Sequence, residues 1–373
     1  MAPGIVWRAS AHPMIRDRSR EASVKVVVAM SGGVDSAVAA GLLVEQGHEV
    51  IGVHMRLHDR HGEASGQCCG FDDALDARTV AEHLGIPFYV SNLREAFQTA
   101  VMDDFADRYL AGETPNPCVH CNGVLKFRVL LSRALALGAE KLATGHYARV
   151  ENGVLRMAVD TGKDQSYFLF PVTAAALNRS LLPLGGMTKS EVRAHAVRLG
   201  LPVADKAESQ EVCFIPDDNH TRFVREVRPD HDAAGEIVDE AGKTLGKHDA
   251  YYRYTIGQRR GLGISSSEPS YVVRIEPETR RVVVGAGSGL FSDGLVLREP
   301  NWFDRPSPDQ EVQVRIRHRG ALVPCTVSEG ERPQVRFRMP TRAVSPGQAA
   351  VFYDGDRVLG GGWIQQAVHG PAT

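Results

Sequence analysis

Cysteines in two separated motifs are the residues of this chain best suited to covalent chemistry. Cys118 and Cys121 lie three residues apart in "ETPNPCVHCN" (113–122), and Cys213 lies far downstream in "AESQEVCFIP" (207–216). The two prolines of the first motif favour an extended approach followed by a helix start, so both of its cysteines share one helix face. A thiol near a helix N-terminus is expected to have a lowered pKa and a larger thiolate fraction.

Other interpretations of the cysteines stay open at this point. Cys118 and Cys121 fit a pair of buried core residues, and Cys213 lies in an apolar run that fits a core cysteine. A zinc site needs four ligands, and the chain offers no second well-spaced pair. Six cysteines in 373 residues are too few for a disulfide scaffold, so we expect thiols. Cys68 and Cys69, in a glycine-flanked loop, are expected to be surface or packing residues.

An apolar run that ends in two glycines marks a second site, in "VKVVVAMSGGVDSAV" (24–38). The loop has little side-chain bulk, so its backbone N–H groups can approach a ligand, and the helix start behind it favours an anion. A plain strand-to-helix turn is the alternative. Hydroxyls at Ser31 and Ser36 favour a phosphate site instead. The lysine of the Walker motif and the dinucleotide fingerprint are both missing, which disfavours ordinary γ-phosphoryl transfer.

Alternating strand-like and helix-like segments must position these residues. Residues 24 to about 215 alternate in this way, with "EKLATGHYARV" (140–150) among the expected strands. The alternation predicts a parallel sheet covered by helices, with its ligand at the carboxyl ends of the strands near the switch point. After about residue 220, short alternating segments separated by Gly, Pro and Asp predict antiparallel strands of one or two small β domains.

These patterns predict four segments with boundaries near 22, 221 and 289. Residues 1–22 contain four arginines but no apolar core of signal-peptide length. We expect a disordered extension there, or upstream sequence before a later true start, with an organelle transit peptide as the alternative. The folded segments are expected at 23–221, 222–289 and 290–373.

Composition excludes some classes of protein and permits others. A hydrophobic fraction of 43% and a net charge of −2 are ordinary for a soluble protein. The chain has no apolar run near the roughly 20 residues that span a bilayer, so we expect no membrane partner. We expect the protein to be cytoplasmic. Any nucleic-acid surface must be local.

Arginine-rich stretches near the C-terminus supply such a local surface. If "VQVRIRHRG" (312–320) is a strand, its three arginines share one face. The stretch "VRFRM" (335–339) repeats the alternation, and "YTIGQRRGLG" (254–263) is a further basic loop. A phosphate-tracking stripe is favoured because a row of like charges is costly without an anion, with a solvated sheet face as the alternative.

The segment Ser31-Gly32-Gly33-Val34-Asp35-Ser36 resembles the S-G-G-x-D-S signature of the PP-loop ATP pyrophosphatases. In that superfamily a substrate oxygen attacks the α-phosphate of ATP and pyrophosphate leaves. The resemblance implies that Asp35 orients Mg²⁺, that Met55 lies beside adenine and that Gly145 lets the nucleotide approach, although Met55 also fits a strand-end core residue. The implied ATP-binding residues are Ala29, Met30, Ser31, Gly32, Gly33, Val34, Asp35, Ser36, Met55 and Gly145.

Five motifs in order make the resemblance more specific: SGGVDS, TPNPCVHCN, ATGHYA, KDQSYFL and SQEVCFI. Together they resemble the bacterial tRNA-specific 2-thiouridylases, over residues 24 to about 370. The implied fold is α/β: a PP-loop parallel-sheet domain (adenine nucleotide alpha-hydrolase-like) followed by two small, mainly antiparallel β domains. The last of these is expected to be barrel-like and to bind tRNA.

The resemblance implies an ATP-dependent tRNA sulfurtransferase. The enzyme adenylylates O2 of the wobble uridine, replaces it with persulfide-derived sulfur to give 2-thiouridine, and releases AMP and pyrophosphate. By the resemblance Cys121 is the nucleophile, and Cys213 carries the persulfide and forms a transient disulfide with Cys121. The implied partners are tRNA with a wobble uridine (the Lys, Glu and Gln types), a persulfide sulfur-donor protein and a thiol reductant.

The resemblance also implies which residues hold the RNA. The target base is expected to be flipped out of its stack, since the C2 oxygen of a stacked base cannot reach a recessed α-phosphate. It would be lined by Asn116, Pro117 and Cys118. The residues implied to contact tRNA elsewhere are His146, Lys163, Asp164, Gln165, Arg317, His318 and Gln348.

One departure from the family pattern leaves the chemistry open. Many members carry an acidic residue where this chain has Cys118, so an acid/base role there passes to a water or to His120. The same change makes Cys118, Cys121 and Cys213 candidate ligands of a [4Fe–4S] cluster, as an alternative to the persulfide relay. Two rivals remain: another PP-loop adenylylating ligase or amidotransferase, and a non-catalytic RNA- or nucleotide-binding protein.

Overall fold

The structure is a computed structural model, and it describes residues 23–58, 69–207, 212–265 and 268–369, without the side chains of residues 69–71. The expectations for residues 1–22, for Cys68 and for the side chain of Cys69 therefore lie outside the described residues. Within those residues, every helix is too short or too polar to cross a lipid bilayer.

A five-stranded parallel sheet forms the first layer, in the order β3-β2-β1-β4-β7. Because β2 and β3 lie on one side of β1 while β4 and β7 lie on the other, the strand order reverses between β1 and β4. This is the switch point at which open α/β sheets bind ligands. The strands are β1 Lys25–Ala29, β2 Glu49–Arg56, β3 Phe88–Asn92, β4 Lys141–Ala143 and β7 Ser180–Leu181.

Helices cover both faces of this sheet. Alternate β1 residues enter opposite cores: Val27 packs with Phe127 on one face, and Val26 packs with Val38 on the other. The helices are α1 Val34–Glu45, α2 Cys69–Leu84, α3 Arg94–Phe97, α4 Asp104–Leu110, α5 Pro117–His120, α6 Leu131–Ala136, α7 Ala174–Asn178, α8 Lys189–Arg198 and α9 His220–Val227. π-Helical segments at Gln98–Asp103 and Cys121–Leu130 join α3 to α4 and α5 to α6.

A small four-stranded sheet follows, in the order β10-β11-β8-β9. Its pairs are antiparallel except β8 with β11, which is parallel. Its strands are β8 Gly235–Asp239, β9 Thr244–His248, β10 Tyr271–Glu276 and β11 Arg281–Gly285. The small sheet shares one core with the first domain, because Val272 and Tyr251 pack in the same cluster as Phe105 and Phe214.

The C-terminal sheet closes on itself as a six-stranded antiparallel barrel. Its strand order is β12-β15-β14-β13-β16-β17, and β17 pairs back onto β12. The strands are β12 Phe291–Trp302, β13 Val312–Arg315, β14 Val323–Val327, β15 Gln334–Arg342, β16 Ala349–Asp354 and β17 Arg357–Val368. The expected α/β fold with two further β domains is confirmed.

One expected strand is wrong in a way that matters for the barrel. Residues 140–150 do not form a single strand: β4 ends at Ala143, and after four irregular residues β5 (Ala148–Glu151) begins in another sheet. β5 pairs with β6 (Val154–Met157), and β6 pairs with β17. The chain leaves the parallel sheet at the switch point, so the hairpin ties the first domain to the barrel.

Truncation of Leu155 tests whether this hairpin is part of a shared core. Leu155 is fully buried in the cluster that also contains Val351 and Trp363 of the barrel. We expect L155A to lower the free energy of unfolding by about 2–5 kcal/mol, measured by urea denaturation. Val159 lies just beyond the hairpin and is 55% exposed, so V159A should change stability by no more than about 0.5 kcal/mol. Equal effects of the two substitutions would contradict the shared core.

Candidate active site

The loop after β1 is shaped by a glycine that no other residue can replace. Gly32 has φ = 81°, in the left-handed region, and a Cβ built on it would lie 2.3 Å from the carbonyl oxygen of Asp73. Gly33 has an extended backbone, and a Cβ there would meet only Ser31 Oγ, at 3.5 Å. The first glycine therefore fixes the loop against α2, and the second keeps it slim on its open side.

Two serines hold the loop in shape from within. Ser31 N donates to Ser36 Oγ at 3.1 Å, and Ser36 Oγ donates to the Gly33 carbonyl at 3.0 Å. Helix α1 begins at Val34, directly after the second glycine. Asp35 and Ser36 thus lie in its first turn, where the helix dipole favours an anion.

The carboxylate of Asp35 is held by two neighbours. Lys189 Nζ, at the start of α8, donates to Asp35 Oδ1 at 2.6 Å, and the hydroxyl of Tyr147 donates to the same oxygen at 2.8 Å. Only one oxygen is engaged by these bonds. Mg²⁺ is usually held by one or two carboxylates together with substrate phosphates, so Asp35 fits as a single protein ligand of a nucleotide-bound Mg²⁺.

Gly145 brings the end of β4 against this loop. A Cβ on Gly145 would lie 2.8 Å from the Asp35 carbonyl carbon and 2.8 Å from Ser36 N. The backbone of the loop itself fills the space that a side chain would need, which gives a structural reason for this glycine besides room for a nucleotide. Met55, near the end of β2, is half-buried and packs on the neighbouring core.

Three thiols lie within electrostatic range of one another in a second part of the site. Asn116 caps the helix, since its Oδ1 accepts from Val119 N, and Pro117 occupies the first helical position. The helix start expected at Cys118 and Cys121 is confirmed. Each thiol lies within electrostatic range of the other and of Cys213.

Burial raises the pKa of all three thiols, whereas the sequence predicted a lowered pKa at the helix start. Loss of solvation raises the pKa of Cys118 and of Cys121, and it raises the pKa of Cys213 to about 12, with the charges of Cys121 and Cys118 adding to the effect. Cys121 is buried, whereas Cys118 and Cys213 have solvent-exposed surface. The expected lowering at a helix N-terminus is wrong for the free protein because desolvation outweighs it.

Lys126 is the one charged group among the described residues that opposes this burial for all three thiols. It lies in the π-helical segment Cys121–Leu130, and its charge lowers the pKa of Cys118, Cys121 and Cys213. The same charge, after burial, keeps the pKa of His146 well below its usual value. His146 follows Gly145 in the chain, so the charge of Lys126 acts both on the thiols and on a residue beside the phosphate loop.

The described residues do not fit an iron–sulfur cluster. No group of three or more Cys, His, Asp or Glu side chains in that part of the chain has an arrangement that could hold a metal ion. Cys118, Cys121 and Cys213 interact electrostatically but do not form such a group. The cluster alternative therefore finds no support here.

His120 does not take part in the thiol cleft. Its ring stacks on Trp363 of the barrel with centroids 4.6 Å apart, and its Nε2 lies 3.5 Å from Asp104 Oδ2. It thus points to the domain interface, which leaves a water as the remaining alternative to an acid at position 118.

The residues expected to contact tRNA fall into two groups. Asp164 is buried, and its carboxylate accepts from Ser166 N at 3.1 Å and from Arg315 Nη1 at 3.0 Å. Its role is therefore internal, next to the partly exposed Lys163 and Gln165. His146 is buried as well, where it shares a 2.7 Å hydrogen bond with Thr144.

The barrel residues of that set lie closer to solvent. His318 Nε2 bonds to the Asp164 carbonyl at 3.1 Å, so it lies beside the KDQSY segment. Arg317 is exposed and donates to the Ala343 carbonyl at 2.7 Å. Gln348 Nε2 donates to the carbonyl of Thr114 at 2.8 Å, directly before the Asn116 cap. The structure thus brings Gln348 to the thiol motif and His318 to the KDQSY motif.

The prediction of an arginine stripe is wrong for residues 315–319. β13 ends at Arg315, so Arg317 and Arg319 lie in the following turn and do not share a strand face with it. Arg315 is instead bound to Asp164. In β15, Arg336 and Arg338 are exposed and alternate with buried residues, as expected.

Sequence reasoning missed three lysines and a tyrosine of the site. Lys206 Nζ donates to the carbonyl of Gly32 at 3.1 Å and pairs with Asp73 and Asp76. Lys189 and Tyr147 bind Asp35, and Lys126 lies among the thiols. Lys126, Tyr147 and Lys206 carried a local signal, since each lies within five residues of a recognised motif position, whereas Lys189 did not.

Substitution of Gly32 tests the loop. We expect G32A to weaken ATP binding by about tenfold or more, because the left-handed backbone alone costs about 1–2 kcal/mol and Asp73 leaves no room. G47A is the matched control and should bind ATP within about threefold of the parent, since Gly47 also has a left-handed backbone (φ = 85°) but lies outside the loop, with nothing within 4 Å of an added Cβ. Calorimetric titration with ATP measures both. Equal affinities for G32A and the parent would show that the loop tolerates a side chain there.

Family models match three consecutive parts of the chain. They are described as a tRNA methyl transferase HUP domain at residues 24–217, a tRNA methyl transferase PRC-barrel domain at 221–286 and an aminomethyltransferase beta-barrel domain at 292–364.

Similar proteins extend over nearly the whole chain. The tRNA-specific 2-thiouridylase MnmA of Geobacter metallireducens is 53% identical over 94% of this chain and 99% of its own length. The enzyme of the same name from Geotalea uraniireducens is 51% identical over 95% of this chain and 98% of its own. A 4-thiouridine synthetase–RNA complex with bound ATP aligns at 18% identity and a TM-score of 0.37, over 56% of this chain and 51% of that chain, too low to carry an argument. On the identities of about 50%, the chain belongs to the family of tRNA-specific 2-thiouridylases.

Proposed function

We propose that this protein is an ATP-dependent tRNA sulfurtransferase that makes 2-thiouridine at the wobble position. The observation that carries the proposal is the link that Gly145 and His146 make between the phosphate loop and the thiol motif. Gly145 packs against Asp35 and Ser36 of the loop, and the charge of Lys126, which also acts on the thiols, lowers the pKa of the adjacent His146. We infer that a nucleotide α-phosphate and a sulfur carrier act on one base between these two motifs.

The first half of the reaction takes place at the loop. Uridine O2 attacks the α-phosphorus of ATP, the bond from that phosphorus to the bridging oxygen breaks, and pyrophosphate leaves. Backbone N–H groups at 30–36 and the hydroxyls of Ser31 and Ser36 hold the leaving phosphates. Asp35 would share Mg²⁺ with the phosphates, which neutralises their charge. Lys189 and Lys206 keep the loop in place from α8 and from the segment that follows it.

The second half takes place at the thiols. A donor protein leaves a persulfide on Cys213, whose terminal sulfur attacks C2 of the adenylylated uridine and displaces AMP. The Cys121 thiolate then attacks the Cys213 sulfur, which frees 2-thiouridine and forms the Cys121–Cys213 disulfide. In the other order, Cys121 attacks first and releases hydrosulfide, which then attacks C2. A thiol reductant supplies two electrons to restore both thiols.

The RNA is held by residues on both sides of the cleft. Asn116, Pro117 and Cys118 line the flipped base, and His146 lies deeper, where it is neutral. Lys163, Gln165, Arg317 and His318 contact the RNA around it, while Asp164 and Gln348 position these contacts through their internal hydrogen bonds. The tRNAs of the Lys, Glu and Gln types, a persulfide donor protein and cytoplasmic localisation complete the proposal.

Replacement of Cys213 separates the two halves of the reaction. We expect C213S to lose tRNA thiolation, since no sulfur carrier remains, while tRNA-dependent pyrophosphate release persists. Mass analysis of digested tRNA and a pyrophosphate assay measure the two halves. C325A removes a thiol that is buried in the barrel core and should keep both activities. Retained thiolation in C213S would refute the assigned role, and loss of both activities would argue against separate steps.

Replacement of Cys118 tests how many thiols the relay needs. The proposed disulfide joins Cys121 and Cys213 alone, so C118S should still form it during a single turnover. Peptide mass spectrometry without reduction detects the disulfide. An enzyme that loses both the disulfide and thiolation in C118S, while still binding ATP, would contradict a two-thiol relay.

A further inference from the structure

Lys126 is a half-buried cation without an anionic partner in the described chain. Among the described residues, no carboxylate lies within ion-pair distance of its ammonium, and no hydrogen bond to its side chain is found. The other two lysines of the site are both paired, Lys189 with Asp35 and Lys206 with Asp73 and Asp76. A partly desolvated charge that lacks a partner is unfavourable, so an anion is expected to form beside Lys126 or to arrive there.

The helix geometry places Lys126 on the side of Cys121. In an α-helix of 3.6 residues per turn, two residues five apart point about 140° away from each other. The segment Cys121–Leu130 is π-helical, and its i to i+5 hydrogen bonds close one turn between such residues. The wider turn of the π-helix therefore places Lys126 on the same side of the helix as Cys121. In an α-helix, Lys126 would lie on a different face from Cys121.

The surroundings of Lys126 contain groups that become anionic during sulfur transfer. Its charge acts on four titratable groups of the described residues: Cys118 and Cys121 on its own helix, Cys213 from the segment before α9, and His146 after β4. His146 is buried and neutral, and it lies beside Phe127, the next residue of the helix, with ring centroids 5.9 Å apart. The thiols are thus the only groups of this set that can supply a negative charge.

We propose that Lys126 is the cation that stabilises sulfur anions in this cleft: the thiolate of Cys121 and the thiolate or persulfide anion on Cys213. The role of these anions in sulfur transfer rests on the proposed function. The ionisation of the Cys121 and Cys213 thiols, in which each loses one proton to solvent, is a property of the free protein. Lys126 acts through the thiols, so it is a positioning residue.

The pH dependence of alkylation tests this role without RNA or a sulfur donor. Iodoacetamide reacts with the thiolate, which displaces iodide, so the rate at each cysteine follows its ionised fraction. Removal of the cation raises the pKa of all three thiols. We therefore expect K126M to slow alkylation of Cys121 and Cys213 at pH 8 by a factor on the order of ten. The rate should recover as the pH rises, and fragment-resolved peptide mass spectrometry distinguishes the sites.

Matched variants separate the charge from the packing. K126R keeps the charge and should keep the alkylation profile of the parent, and K126Q is a second neutral variant of similar length. R128Q removes a cation from an exposed position of the same helix and should leave the profile unchanged. An unchanged profile in both K126M and K126Q would overturn the proposal, as would an equal shift in R128Q.

The nucleotide is the other anion that Lys126 could serve, and a second measurement distinguishes the two. ATP affinity should be the same in K126M as in the parent, since the phosphate loop binds through its own backbone N–H groups and the start of α1. A loss of ATP affinity with an unchanged alkylation profile would assign Lys126 to the phosphates and overturn the proposal. Absence of tRNA thiolation by the parent enzyme would instead refute the proposed function and leave the alkylation result intact.

Discussion

Close packing of protein around the thiols is the constraint on which the proposed chemistry depends. Cys121 is buried, while Cys118 and Cys213 keep solvent-exposed surface. An O2-adenylylated base is open to hydrolysis, so a partly enclosed site protects it. The same enclosure withdraws solvation from a thiolate, and it raises the pKa of Cys213 to about 12. The packing that protects the intermediate therefore also lowers the fraction of each cysteine that is present as the nucleophilic thiolate. The conflict is resolved only by a fixed positive charge inside the enclosure, and Lys126 is placed to supply it.

The enclosure is a product of all three folded parts and belongs to none of them alone. The helix that carries Cys121 begins at the Asn116 cap, beside the barrel residue Gln348, and its His120 stacks on Trp363 of the barrel. Phe214, next to Cys213, packs with Phe105 in the core shared with the small central sheet. The β5–β6 hairpin leaves the parallel sheet directly after His146 and joins the barrel. The β domains thus hold the walls of the cleft in place, whatever they contribute to RNA binding.

Local signals in the sequence were enough for the parts of the site that depend on backbone geometry. The strand, the glycine turn and the helix start at 24–38 follow from apolar runs and from residue types that permit a left-handed turn, and the two prolines of the motif predicted the helix start at Cys118. Non-local physics decided the rest. The direction of the thiol pKa values depends on atoms from distant segments that no spacing reveals. Asp164 and Arg315 were assigned separately to RNA, although they bind each other across 151 residues. The π-helical register at Cys121 has no pattern that distinguishes it from an α-helix.

The lysines at the phosphate loop and the lysine at the thiols differ in whether they already have an anionic partner. Lys189 and Lys206 are paired with carboxylates, whereas Lys126 has no carboxylate partner among the described residues. At the phosphate loop, Lys189 already neutralises Asp35, so an incoming nucleotide exchanges one anionic partner for another and gains little from that lysine alone. Its binding then rests on backbone donors and the helix dipole, which need no partner to be displaced. At the thiols, no such exchange is required within the described chain, because the negative charge on sulfur forms beside Lys126 without breaking an ion pair. Sulfur is thus activated by the fixed charge of the resting fold, whereas ATP must first rearrange the contacts of the loop it enters.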